Sequence, residues 1–243
     1  MNELRLIKEK ILVEGFAVID TFFSDEEIER LIQVISKVDT SRRTVRKTAD
    51  LFAIRQFLKE IPEVIGIIFN DRLTALITEL SGDDFFVAKS IYFDKPESSN
   101  WFVAYHQDLT ISVDKKSNLE GFGPWTAKQD QFSVQPPLAI LQDNFTIRIH
   151  LDNTTEENGA LKVIPKSHLK GVYRAETIDW SVEVENICTV SKGGIMFMKP
   201  LLLHSSGRTT NNDPRRVIHI EFSRSPLPGD LKWAELTLLK HKI

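Results

Sequence analysis

The chain has 243 residues, a length that suits one domain or a single β-barrel with added helices, because all-β folds often reach it undivided. Its 31 lysines and arginines nearly balance its 34 aspartates and glutamates. No strong electrostatic field is therefore expected to attract nucleic acid or an anionic membrane surface, and a small-molecule substrate is predicted instead of a polyanion.

The sequence has a single cysteine, Cys188, which excludes an internal disulfide framework and a cysteine-based zinc cluster. Its neighbours are typical of a strand, so a buried thiol is expected. The N-terminal residues 1–15 carry charges at short intervals, which interrupt the apolar run that a signal peptide or a membrane span needs. The expectation is a cytoplasmic protein without a membrane partner.

The chain opens with a helical stretch that leads into a buried strand at residues 15–20. Ser24 and Glu27 then stand three apart, the spacing at which a helix-capping serine and an acid satisfy each other's backbone amides. Apolar residues follow on one stripe, which predicts an amphipathic helix from Asp25 to about Val38.

Residues 39–50 are polar and basic, and they are predicted to form a loop. Two further helical segments are expected near 51–60 and 63–81, the second ended by Gly82. The part of the chain up to about residue 82 is thus predicted to be mainly helical, within a single domain of residues 1–243.

Short strands dominate from Phe85 onward and are bounded by glycine, proline, asparagine and aspartate. They are expected at 85–93, 100–108, 145–152, 161–167, 185–190, 193–204 and 215–223. This order predicts a mainly β protein with flanking helices and a double-stranded β-helix core, the cupin-like jelly roll, over about 83–225.

The segment 109–142 is the longest irregular stretch, and segments of this length in compact domains are usually functional or disordered. Phe122, Trp125 and the paired Pro136 and Pro137 favour an ordered flap. The flap is predicted to contact substrate, with Trp125 as a substrate-binding residue.

His106 and Asp108 are two residues apart, so in a strand their side chains project to the same face. Two imidazoles and one carboxylate on one face of an octahedron suit iron(II), because the remaining positions stay open. His204, at the end of the predicted strand 193–204, is the best candidate for the second imidazole. Arg215 follows eleven residues later and could bind a carboxylate through two hydrogen bonds.

The remaining histidines are expected to be structural or solvated. His150 alternates with the apolar residues of its strand and is interpreted as a surface group or a group behind the ligands. His168 follows a turn, His219 lies within the last long strand, and His241 lies in the C-terminal tail.

The chain resembles the phytanoyl-CoA dioxygenase-like family of iron(II) and 2-oxoglutarate oxygenases. The similarity runs in the family's order through EGFAVIDTFFSDEEIERL, DKP, WFVAYHQDL, HLDNTTEENGALKVIPKSH, GGIMFMKPLLLHSSGR and RRVIHIEFS, and it covers most of 15–225. It implies that iron(II) is bound by the metal triad, His106, Asp108 and His204. It also implies 2-oxoglutarate and O₂ as co-substrates, with Arg215 and Ser206 on the distal carboxylate and Gln107 reaching toward the co-substrate or the substrate.

The resemblance further implies hydroxylation of an unactivated C–H bond with release of succinate and CO₂, because halogenating relatives lack the carboxylate that Asp108 supplies. Lys166 and Thr209 depart from the family's usual glycine and asparagine near the cavity rim. The segment 109–142 is also longer than the family's acyl-CoA enzyme needs, so an acyl-CoA substrate is not assumed. Arg148 and Lys89 are predicted to contact the substrate if the polar face of their strands points inward.

Two other classes of function remain open at this point. A non-catalytic cupin-like protein could hold a metal or a small ligand without turnover. A zinc hydrolase could use the same two histidines and one aspartate, although it would leave Arg215 without a role.

Overall fold

The computed structural model describes residues 3–97, 99–128 and 131–238. Its α-helices within these ranges are α1 (Glu3–Val13), α2 (Asp25–Ile35), α3 (Phe57–Glu60), α4 (Ile65–Ile68), α5 (Asp71–Ser81) and α6 (Leu138–Asp143). None of the helices in the described part of the chain has the length and apolar character needed to cross a membrane.

The strands are β1 (Phe16–Ile19), β2 (Val45–Lys47), β3 (Phe52–Arg55), β4 (Phe86–Lys95), β5 (Val103–His106), β6 (Ile111–Val113), β7 (Trp125–Lys128), β8 (Gln131–Val134), β9 (Phe145–His150), β10 (Leu161–Ile164), β11 (Asn186–Cys188), β12 (Ile195–Met198), β13 (Leu203–Ser206), β14 (Arg215–Ser223) and β15 (Thr237–Leu238). Every pair is antiparallel. The larger sheet has the order β1-β12-β9-β14-β4-β3-β2 with β15 also on β4, and the smaller sheet has the order β11-β10-β13-β5.

The two sheets form the predicted double-stranded β-helix, with helices on the outer face of the larger sheet. Helices α2 and α5 bury their apolar stripes against outward residues of β9 and β14, among them Ile147, Ile149 and Phe222. The Ser24–Glu27 capping box that begins α2 is present as the spacing predicts. The strands of the larger sheet therefore point their polar face into the barrel, because the helices cover the apolar one.

The larger sheet extends beyond the predicted core of 83–225. Strands β1, β2 and β3 precede residue 83, and β15 follows residue 225. The predicted loop 39–50 contains β2, and the predicted helix 51–60 is β3 followed by one turn of helix. Pairing of β3 with β4 replaces the helix there, since tertiary hydrogen bonds outweigh a weak local preference.

The predicted helix 63–81 is also divided, into a 3₁₀ turn at Pro62–Val64 followed by α4 and α5. Asn70 caps α5 by accepting a hydrogen bond from the backbone of Leu73. The continuous strand expected at 193–204 is wrong as well. It is two strands, β12 and β13, separated by a turn around Pro200, and they belong to different sheets.

The segment 109–142 is ordered in its described residues, as expected. It forms a three-stranded sheet in the order β6-β8-β7 and the helix α6. Ile111, Val113 and Val134 bury its apolar side together with Trp233. An antiparallel bridge between Trp233 and Val113 ties the C-terminal residues to this sheet, and the backbone N–H of Ala234 donates to the carbonyl of Ser112.

Candidate metal centre

The metal triad is assembled at the ends of β13 and β5, the two adjacent strands at one edge of the smaller sheet. His106 ends β5 and lies opposite His204 of β13 in the ladder, with the two ring centroids 4.2 Å apart. Asp108 follows two residues after His106, and its backbone N–H donates to the carbonyl of Pro200 at 2.9 Å. The same turn that leads into His204 therefore also positions the carboxylate.

The side chains of the triad converge on one point. The Nε2 atoms of His106 and His204 each lie 3.9 Å from an oxygen of Asp108, and the three ligand atoms all lie within 4.8 Å of one another. Each histidine places its Nδ1 against a backbone carbonyl, that of Ala104 at 2.9 Å and that of Leu202 at 2.8 Å. A carbonyl can only accept, so both Nδ1 atoms carry the proton and both Nε2 lone pairs are free to bind a metal.

The protonation states also suit a cation. Burial lowers the pKa of His204 to about 4, so its imidazole is neutral at pH 7. Burial alone would raise the pKa of Asp108, but neighbouring His204, His219 and Lys89 lower it to about 2. One oxygen of this carboxylate is buried without a hydrogen-bond partner, which is the state expected of an atom that a metal would bind.

A cavity of about 290 Å³ opens in front of the triad, and Arg215 and Ser206 line it. The guanidinium of Arg215 is 4% exposed. One of its nitrogens lies 3.3 Å from the hydroxyl of Ser206, while Nε and Nη1 have no hydrogen-bond partner. Two unsatisfied buried donors beside a hydroxyl fit a carboxylate.

Arg216, the neighbouring candidate, does not reach this cavity. Its Nε and Nη2 donate to the two oxygens of Asp152 at 2.9 and 2.6 Å on the outer face of the sheet. The polar face of β14 is turned inward, so Arg215 and not Arg216 faces the triad.

The polar face of β14 also carries His219 and Glu221, to which the sequence interpretation assigned no role at the site. The guanidinium of Arg148 lies 3.1 Å from Nδ1 of His219, whose Nε2 lies 3.1 Å from Glu221. Lys89 completes the chain with an ion pair to Glu221 at 2.7 Å. His219 is thus buried in the cavity wall, and the signal was its position on the same strand face as Arg215.

Lys89 and Arg148 both line the cavity, as the predicted substrate contacts require. Gln107 does not, because its parity is opposite to that of the two ligands beside it. Its amide donates to the carbonyls of Gly171 and Leu201 and accepts from the backbone of Tyr173. The expectation that Gln107 reaches toward the co-substrate or the substrate is therefore not met, because its amide binds the loops behind the triad.

Trp125 also lies outside the metal cavity. It sits on β7 and packs, partly buried, against the apolar cluster of the flap. From the segment 109–142, it is Ser112–Asp114 and Gln131–Ser133 that line a second cavity, of about 300 Å³, which adjoins the first across Lys89 and Ile91.

The other histidines lie away from the triad. His150 is buried with its Nδ1 2.7 Å from the hydroxyl of Thr154, and His168 lies 3.1 Å from the carbonyl of Leu12. His241 falls outside the described residues. Cys188 is a buried free thiol, as expected, and burial raises its pKa to about 12.

The residues present fit both an iron(II) ion and 2-oxoglutarate. Three nitrogen and oxygen ligands on one side leave room for further ligands on the cavity side, which suits octahedral iron(II) better than a closed structural site. The unsatisfied guanidinium donors of Arg215 match a distal carboxylate. A zinc hydrolase would have no use for that buried cation.

Comparison with known proteins supports the same class. The sequence model described as phytanoyl-CoA dioxygenase (PhyH) matches residues 12–217. No curated protein matches the chain.

Several solved structures share the fold. The non-haem α-ketoglutarate-dependent epimerase SnoN from nogalamycin biosynthesis is 15% identical with a TM-score of 0.69, and the match covers 98% of each chain. EctD from S. alaskensis, solved with 2-oxoglutarate and 5-hydroxyectoine, is 17% identical with a TM-score of 0.68, covering 92% of this chain and 76% of that one. EvdO2 from Micromonospora carbonacea var. aurantiaca, complexed with 2-oxoglutarate, is 16% identical with a TM-score of 0.65, covering 95% and 94%.

Proposed function

Since the chain belongs to the phytanoyl-CoA dioxygenase family and is a 2-oxoglutarate-dependent non-haem iron oxygenase, we propose that it hydroxylates an unactivated C–H bond of a small molecule. The reaction would release succinate and CO₂. The observation that carries the proposal is the convergence of the metal triad and the unsatisfied guanidinium of Arg215 on one cavity.

The triad would hold iron(II) through Nε2 of His106, a carboxylate oxygen of Asp108 and Nε2 of His204. When bound, the metal supplies the O₂ chemistry that the side chains cannot perform by themselves. The protein's contribution is preorganisation, since the backbone carbonyls of Ala104 and Leu202 already hold both imidazoles with Nε2 toward the cavity.

Arg215 and Ser206 would orient 2-oxoglutarate by its distal carboxylate. Both are at least nine-tenths buried, so their hydrogen bonds act with little competition from water. Phe93, Trp101 and Val103 form the apolar part of the same wall, and they would shield the reacting carbon from solvent.

The choice of hydroxylation rests on Asp108. A carboxylate ligand occupies the position that a halide would need, so transfer of oxygen is favoured over halogenation. The solved structures of the same fold include an epimerase and a carbocyclase. The fold therefore does not determine which product forms, and the choice of hydroxylation comes from Asp108.

The substrate would extend into the second cavity. The metal cavity, at about 290 Å³, is at the lower end of the roughly 300–1,000 Å³ of ligand pockets, and 2-oxoglutarate must share it. The adjoining cavity of about 300 Å³ offers the additional space, and the flap forms one of its walls.

The test is anaerobic reconstitution with iron(II) and 2-oxoglutarate, followed by O₂ and a panel of metabolites. An oxygenase releases succinate only with O₂, and a hydroxylase transfers one ¹⁸O atom from ¹⁸O₂ to the product. A metal-binding protein without turnover releases no succinate, and a zinc hydrolase acts without O₂. His150→Ala is the matched control for His204→Ala, since His150 is a buried histidine away from the triad.

A further inference from the structure

The metal cavity contains a second buried guanidinium, that of Arg148 on β9. Arg148 is 7% exposed, and its Nε is buried without a hydrogen-bond partner. Its Nη1 lies 3.1 Å from Nδ1 of His219. A guanidinium always donates, so Nδ1 of His219 accepts, and the proton of this neutral imidazole lies on Nε2.

The neighbouring carboxylate does not neutralise Arg148. Nε2 of His219 donates to Glu221 at 3.1 Å, and Glu221 forms its ion pair with Lys89 at 2.7 Å. Among the described residues, no carboxylate lies within ion-pair distance of Arg148. Asp108 lines the same cavity and is the carboxylate that acts on the pKa of Arg148, but it is assigned to the metal.

Two buried cations therefore face one cavity. Burial lowers the pKa of Arg148 to about 10 and that of Arg215 to about 9, the latter also through repulsion from Arg148. Both remain charged at pH 7. A buried cation without a partner is costly, so each is expected to be matched by an anion in the loaded protein.

The position of Arg148 indicates which anion. Arg148 lines the same cavity as the triad and Arg215, and it lies opposite His219, four residues from Arg215 on the inward face of β14. It therefore faces the space shared by the triad and the Arg215–Ser206 site, which is where 2-oxoglutarate would bind.

We infer that Arg148 forms a second carboxylate site in the metal cavity, separate from the Arg215–Ser206 site. The inference rests on the proposed function. The ligand is a carboxylate held beside the metal, and its expected source is the 1-carboxylate of 2-oxoglutarate. The other source with the same chemistry is a carboxylate of the primary substrate.

The experiment compares wild type with Arg148→Gln, and uses Arg224→Gln as the matched control because Arg224 is exposed and pairs with Asp143 outside the cavity. Thermal melting and iron(II) affinity establish that each variant is folded and binds metal. Anaerobic calorimetry then measures the affinity of the iron-loaded protein for 2-oxoglutarate and for 2-oxovalerate, which lacks the distal carboxylate. Propionate is titrated last, into the protein already saturated with 2-oxoglutarate.

If the source is 2-oxoglutarate, Arg148→Gln lowers the affinity for both oxo acids by the same factor. This factor is at least tenfold, as expected for the loss of a charge-assisted hydrogen bond. If the source is the substrate, Arg148→Gln leaves both oxo acids unchanged and abolishes propionate binding. Arg224→Gln changes none of these affinities.

The inference is overturned if Arg148→Gln leaves the affinities for both oxo acids and for propionate as in wild type. It is also overturned if only 2-oxoglutarate weakens, since that pattern belongs to the distal carboxylate. Wild-type protein that binds iron but neither oxo acid would instead refute the proposed function, and propionate titrated into the iron-loaded protein would then decide on Arg148 alone.

Discussion

Replacement of Arg215 by leucine is predicted to have opposite effects on co-substrate affinity and on stability. In the loaded protein the guanidinium would form a buried pair with a carboxylate, and removing one partner of such a pair costs about 3–5 kcal/mol. At about 1.4 kcal/mol per decade, the affinity for 2-oxoglutarate should fall by roughly two to four orders of magnitude.

The ligand-free protein should become more stable on the same substitution. Burial and repulsion from Arg148 lower the pKa of Arg215 from 12.5 to about 9, and at about 1.4 kcal/mol per pKa unit the charge costs up to about 5 kcal/mol. Leucine removes this cost. Part of the gain in stability is offset because the smaller side chain makes fewer packing contacts. We therefore expect the free energy of unfolding to increase by one to a few kcal/mol. Gains of about this size are common for single stabilising substitutions.

Arg216→Leu is the control on the adjacent residue. It breaks the ion pair with Asp152, in which the side chains of Arg216 and Asp152 are 26% and 16% exposed. The free energy of unfolding should therefore fall by about 1 kcal/mol. The affinity for 2-oxoglutarate should not change. The affinities come from anaerobic titration of the iron-to-2-oxoglutarate charge-transfer band, and the stabilities from urea unfolding without ligand. A larger loss of affinity in Arg216→Leu than in Arg215→Leu would refute the reasoning.

Three further predictions concern the metal, the pH dependence and the flap. His204→Ala should abolish iron(II) binding while the melting temperature of the metal-free protein stays within a few degrees, and loss of iron binding in His150→Ala instead would show that the wrong histidine was chosen. Burial raises the pKa of Glu235 from 4.5 to about 7, so its contribution to stability is full below pH 4.5 and is lost as the pH rises through 7. Glu235→Gln should therefore remove up to about 3 kcal/mol of the stability difference between pH 4.5 and pH 8, and denaturant melts with an unchanged difference would contradict this. Replacing residues 109–142 by a short Gly-Ser link should preserve substrate-free decarboxylation of 2-oxoglutarate but uncouple it from product, whereas an unchanged product yield would exclude contact of the flap with substrate.

Local pattern was sufficient to predict the residues that share a strand face. The two-residue spacing of His106 and Asp108 predicted an imidazole and a carboxylate side by side; the structure brings them together, although β5 ends at His106 and Asp108 lies just beyond it. The order of short strands and the family resemblance indicated the double-stranded β-helix and the pairing of Arg215 with Ser206. Cys188 and the helix cap at Ser24 are local in the same sense.

The tertiary structure alone decided which faces meet. Both faces of β9 are buried, one under the helices and one toward the cavity. The alternation of polar and apolar residues therefore did not reveal which face lines the cavity, and Arg148 could equally have been a solvated charge. His204 pairs with His106 only because the chain turns at Pro200 and changes sheets, which a continuous apolar run conceals. The alternation of side chains between two faces is a local property of one strand. Which side chains line the cavity depends on the packing of strands that are distant in sequence. For this reason the sequence did not indicate that His219 lines the cavity beside Arg148.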